Sequence, residues 1–113
     1  ADGMPPFDRR LHGNLGAERW RQVLDDAFER LNAELDLIEA EIPADVDPES
    51  PRADAYYARL PLDPYAATDP GEFFAVSSEA FFVAPQRLRD AFPEWYGLLA
   101  AFFLQDPLAW SDP

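Results

Sequence analysis

Residues 15–41 read LGAERWRQVLDDAFERLNAELDLIEAE, and the placing of their apolar members decides the fold. Trp20, Val23, Leu24, Ala27, Phe28, Leu31, Leu35, Ile38 and then Ile42 recur at the three- and four-residue spacings that put side chains on one side of a helix. The spacing predicts one long helix from about Leu15 to Glu41 with a single apolar stripe. Its other face carries Arg19, Arg21, Asp25, Asp26, Glu29, Glu34 and Glu41. Arg30 lies one turn from both Asp26 and Glu34, so exposed ion pairs worth a few tenths of a kcal/mol are expected there.

Outward from this helix, twelve prolines cut the chain into pieces. Pro5-Pro6 ends an extended lead-in. Residues 44–54 have no sustained period and two prolines, which predicts a loop, and Tyr56, Tyr57 and Leu60 begin a short turn before Pro61. Residues 62–68 read as an ordered loop. Asp69-Pro70-Gly71-Glu72 is a helix start, with Asp at the N-cap, Pro at the first helical position and Glu at the third; this helix should run to about Phe82. Ala84-Pro85 stops it, and Pro85 opens a short helix through Ala91. Pro93 opens a last one with Trp95, Leu98, Leu99, Phe102 and Phe103 on one face, ending before Pro107. No segment reads as a strand. The expectation is an all-α segment over residues 1–113, one long helix plus three shorter ones. Phe73, Phe74, Phe81 and Phe82 exceed what four helices can bury, so exposed apolar surface and self-association are expected.

With 113 residues, 48% of them apolar, the chain can form a core and is not a disordered polymer. No run of eighteen apolar residues and no signal-like N-terminus is present, and cysteine is absent, which makes the cytoplasm the expected compartment and membrane insertion unexpected. Nine cations, all arginine, stand against twenty-two acids for a net charge of −13, which disfavours nucleic acid as a partner. Half of the acids lie between Asp25 and Asp54. That stretch is either a solvated face and loop or a surface for a basic protein, the latter making the chain a non-enzymatic interaction module.

Several catalytic classes drop out. The sequence has no Gly-rich phosphate loop, no Cys nucleophile and no Gly-x-Ser-x-Gly elbow, and its sole histidine, His12, sits in a polar segment. Residues 65–82, YAATDPGEFFAVSSEAFF, stand out instead. On helical spacing Glu72, Ala75, Val76 and Glu79 share one face, so two acids lie among small apolar side chains. Such carboxylates are either partly buried and in need of a partner, or a capping-box glutamate at Glu72 and a solvated one at Glu79.

The string Tyr-Ala-Ala-Thr-Asp-Pro-x-Glu-Phe-Phe-Ala-Val-x-x-Glu-x-Phe-Phe resembles the C-terminal half of the Mlc titration factor A family of zinc metallopeptidases. So do Pro85, Leu88, Phe92-Pro93, Tyr96, Leu99, Phe103 and Gln105-Asp106-Pro107, and also the opening Ala1-Asp2-Gly3-x-Pro5-Pro6. The resemblance covers essentially the whole chain. It implies the helical C-terminal part of a zincin-like catalytic domain that hydrolyses peptides. In that family a His-Glu-x-x-His helix gives two zinc ligands and the general base, and a glutamate matching Glu72 gives the third protein ligand. Tyr65 then becomes a possible hydrogen-bond donor to the oxyanion, or a packed loop aromatic, and Glu79 an acceptor that orients a metal-bound histidine. This sequence has no His-Glu-x-x-His and starts a few residues past where that helix would end. It is therefore expected to be a fragment of a larger peptidase, with its N-terminal half as partner, or an inactive paralogue. Alone it is expected to show neither peptidase activity nor tight zinc binding.

Overall fold

The computed structural model describes residues 16–108. The long helix α1 spans Ala17–Glu41 and buries Trp20, Val23, Leu24, Ala27, Leu31 and Ile38. Phe28 and Leu35, on the edge of the same stripe, are half-buried against the core. Leu15 and His12 lie outside the described residues.

After α1 the chain departs from the expected loop. Residues 51–54 belong to a short helix, α2 (Pro51–Tyr57), with Pro51 at its first position. The preceding turn is held locally: Asp47 Oδ1 accepts the N–H of Glu49 at 2.9 Å, and the Ser50 hydroxyl donates to the Asp47 carbonyl at 2.6 Å. Ala53, fully buried, is the one α2 side chain in the core. A single buried alanine in seven residues leaves no periodicity for a sequence to display. The expected ordered loop over residues 62–68 contains a 3₁₀ turn, Pro64–Ala67, whose start is fixed by Asp63 accepting the N–H of Tyr65 at 2.9 Å.

The remaining helices fall where proline chemistry places them: α3 (Pro70–Val83), α4 (Pro85–Ala91) and α5 (Pro93–Phe103), each with proline in its first turn. Among the described residues the fold is all-α, with one long helix and four shorter ones, α2 being the addition to the expected set. α5 ends in a left-handed residue, Leu104 (φ 55°), and the N–H of Gln105 returns to the Ala100 carbonyl at 3.0 Å, a six-to-one closure of the Schellman type. Tyr96 secures the reversal, donating its hydroxyl to Asp106 at 2.6 Å and accepting the N–H of Leu108 at 3.3 Å.

α1 lies across α3 and α5, and the contact between them is aromatic. Trp20 sits edge-on to Trp95 (centroids 4.8 Å apart) and to Phe74 (5.7 Å). Phe73 meets Phe28, Phe92 and Trp95 at 5.8–5.9 Å. Edge-to-face pairs of this kind add about 0.5–1.5 kcal/mol each beyond area burial. Of the four phenylalanines of α3, Phe73 and Phe81 are fully buried, Phe74 is half-buried and Phe82 is 46% exposed. With five helices in place of the expected four, Phe82 is still the one of them left largely exposed.

Arg30 behaves differently from its expected pairing with Asp26 and Glu34. Its guanidinium donates to the Ala91 carbonyl at 3.0 Å and lies 5.1 Å from the Phe92 ring centroid. The carbonyl belongs to the C-terminal end of α4, where a cation is favoured over an exposed i,i+4 pair. No described helix is long and apolar enough to cross a membrane.

Candidate functional site

α3 positions the candidate residues. Its N-cap, Asp69, is in extended conformation and its Oδ1 accepts the N–H of Glu72 at 2.8 Å. A full capping box would also have the Glu72 carboxylate accepting the Asp69 N–H. That second bond is not made. Among the described residues the carboxylate of Glu72, a half-buried residue, has no hydrogen bond or ion pair, although it stands in the first turn, where the helix dipole favours an anion.

The buried side chains of α3 are Phe73, Ser77 and Phe81, at i, i+4 and i+8. This stripe sets the helix rotation. It puts Glu72, Val76, Glu79 and Val83 on one flank, with Val76 half-buried and Glu79 and Val83 exposed. Glu72 and Glu79 are separated by about 10 Å of helical rise. Tyr65, on the 3₁₀ turn packed beside α3, is 55% exposed and no ring contact or side-chain hydrogen bond holds it among the described residues. Glu72 and Glu79 thus share one flank of α3, and Tyr65 stands on the adjoining 3₁₀ turn.

Along this flank runs a groove of about 400 Å³. Leu60 and Leu62 form one wall, Val76, Ala80 and Val83 the other, and Glu79 and Arg87 border it. Arg87 reaches from α4 across the groove's end and donates to the Ala58 carbonyl at 2.6 Å and to the Leu60 carbonyl, so it ties the end of α2 to α4. Tyr57, also lining the groove, donates to Glu39 at 3.0 Å; burial first, then this bond and the charge of Glu39, raise its pKa above the ordinary phenol value. Neither the groove nor the Arg87 tie was visible in the sequence, because residues 57–64 and 76–87 meet only through packing.

As a metal site the described residues are incomplete: no three His, Asp or Glu side chains are grouped so as to hold an ion. The unpartnered carboxylate of Glu72 suits one hard oxygen ligand to a divalent metal, with the other donors drawn from elsewhere.

Residues 1–104 match the model of the glucose-regulated metallo-peptidase M90 family, and the chain belongs to that family. It is similar to Mlc titration factor A of Serratia proteamaculans (strain 568), with 38% identity over 109 residues covering 96% of this chain and 33% of that protein. The protein of the same name from Pectobacterium atrosepticum is 38% identical over 90 residues, covering 80% of this chain and 28% of its own length. That of Edwardsiella ictaluri is 37% identical over 108 residues, 96% of this chain and 33% of its length. The chain spans about a third of the length of the curated relatives it matches.

Proposed function

We propose that this chain forms the helical wall of a zinc-dependent peptidase domain and supplies, through Glu72, one of the metal's protein ligands. The observation that carries the reading is the division of labour at the start of α3: Asp69 caps the helix, and the carboxylate of Glu72, a half-buried residue, is left unpartnered among the described residues. An anion with no partner in its own segment is a ready oxygen ligand for a divalent cation. Membership of a metallo-peptidase family and the match of Glu72 to the family's Asp-Pro-x-Glu-Phe-Phe glutamate support the metal as that cation.

Zinc, when bound, lowers the pKa of its water toward about 7 and polarises the scissile carbonyl. The chain's own contribution is placement. Phe73, fully buried next to Glu72 in sequence, locks the rotation of α3 and so fixes where the carboxylate points. Asp63 fixes the backbone under Tyr65 and leaves its phenol free to donate a hydrogen bond to the developing oxyanion. The groove beside α3 receives the peptide.

The test is Glu72→Gln in the full-length protein, with metal content and peptide turnover measured. Glutamine keeps the size and the helix start, since the cap is Asp69, and removes the anion. The reading expects unchanged folding, loss of most bound zinc and loss of turnover. A variant that retains full zinc and full turnover removes Glu72 from the metal.

A further inference from the structure

Beyond its first turn α5 has no charged residue on any side. Its one acid, Glu94, lies in that turn and pairs with Arg19 of α1 at 3.2 Å. Trp95, Tyr96 and Leu99 face the core. The opposite side carries Gly97 and Ala101, both exposed, and runs on to Leu104, which is 59% exposed. A Cβ added at Gly97 would meet nothing within 4 Å, so the space over the helix is open. Half-buried Phe103 extends this face to Phe82, with ring centroids 5.1 Å apart. The exposed side of α1 is of another kind, with Arg21, Asp26, Glu29, Glu34 and Asp36. A charged outer face is built for water, whereas a helix that is apolar all round is one that the complete structure buries. The Cα trace is 16 Å thick, which holds two layers of helices about 10 Å apart and leaves the α5 side uncovered.

We infer that the outer face of α5, formed by Gly97, Ala101 and Leu104 with Phe82 at its edge, is the docking face for another segment of the same polypeptide. That segment belongs to the part of the family domain that this chain, spanning about a third of its curated relatives, does not match. Area separates this occupant from a second copy. Gly97 to Leu104 is about 10 Å of helix, and a strip of that length one helix wide offers on the order of 200 Å². A stable dimer needs about 800 Å² from each partner. A tethered segment acts at an effective concentration of about millimolar, so a small face is enough to hold it. The face also sets the chemistry of its occupant: an uncharged surface, brought close because Gly97 and Ala101, one turn apart, present almost no side chain. The docking goes beyond the metal reading, since it depends on packing around α5 and Glu72 takes no part in it.

The chain has no cysteine, so a thiol introduced by Ala101→Cys reports on this face, and Ala40→Cys on the exposed side of α1 is the control. Each variant is made in this chain and in the full-length protein, and maleimide labelling at the substituted position is followed by peptide mass spectrometry. From the chain to the full-length protein, labelling of Ala101→Cys should slow at least about tenfold and that of Ala40→Cys should not change. Equal rates for Ala101→Cys in the two proteins would mean an open face and overturn the docking. So would equal slowing of Ala40→Cys, protection already complete in the dilute chain, which makes the chain's own residues the cover, or protection that grows with protein concentration, which makes a second copy the cover. Ala101→Arg gives an independent readout: the melting temperature of the chain should hold, and that of the full-length protein should fall by about 5 °C or more. An unchanged full-length melting temperature also overturns the docking. Glu72→Gln alters zinc content without touching α5, so a failure of the metal reading leaves the labelling result as it is.

Discussion

Asp69 Oδ1 accepts the backbone N–H of Glu72 at 2.8 Å, and the bond in the opposite direction, from the Asp69 N–H to the Glu72 carboxylate, is not made. The two acids of one motif thus have separate tasks. Asp69→Ala removes the cap and should cost about 1 kcal/mol of stability by denaturant titration, whereas Glu72→Gln should change stability by less than about half of that. Equal losses in the two variants would mean that Glu72 shares the capping.

Leu31, on the buried stripe of α1, has no exposed surface, and Leu35, one turn on, is half-buried. Leu31→Ala should cost about 2–5 kcal/mol, and Leu35→Ala clearly less. Ser77 on α3 predicts the opposite sign: its hydroxyl is buried with no hydrogen-bond partner. Ser77→Ala removes an unpaired polar group and should raise stability, by about 1 kcal/mol. A lower unfolding midpoint for Ser77→Ala would show the hydroxyl to be bonded in solution.

Arg87 satisfies the carbonyls of Ala58 and Leu60 with one guanidinium. Arg87→Met keeps the stem and removes both bonds; water can reach the exposed Ala58 carbonyl but less readily the partly buried Leu60 one, so a loss of about 1 kcal/mol is expected. Hydrogen exchange should locate the effect, with faster exchange in α2 and the turn after it while α1 keeps its protection. Uniform acceleration across all helices would instead point to a global role.

The Tyr96 phenol is held above its ordinary pKa, by burial first and by donation to Asp106 second, against a smaller opposing effect from the N–H of Leu108. A phenol whose folded pKa is raised keeps its proton more tightly when folded. Its contribution to stability is complete below the unfolded value of 10.0 and is lost as pH rises from there through the folded value. Melting temperature should therefore fall above pH 10, and the fall should be shallower in Tyr96→Phe, with Tyr57, raised in the same direction, accounting for part of what remains. Identical alkaline slopes in the two proteins would exclude Tyr96 as a contributor.

Some of this protein is written locally in its sequence. α1 was legible because one stripe of apolar residues repeats over seven turns. The starts of α3, α4 and α5 were legible because proline lacks an N–H and takes helical φ, which suits a first turn and no later one. The carboxylate of Asp69 acts on an N–H three residues away, also a local event. Candidate residues Tyr65, Glu72 and Glu79 came from one contiguous motif, so helix geometry alone put the two glutamates on a common flank.

Tertiary structure decided the rest, wherever a group's partner is distant in sequence. Arg30 stands one turn from two acids and bonds a carbonyl sixty-one residues away, because an exposed ion pair gains little and the end of a packed helix offers a fixed acceptor. α2 exists because Ala53 has a place in the core, which seven residues cannot announce by periodicity. Glu72 and Glu79 have the same chemistry on the same flank, yet one is half-buried and the other exposed. Their sequence fixes the direction in which each side chain leaves the helix, but burial depends on which other segments pack over that direction, and those segments are positioned by contacts far along the chain.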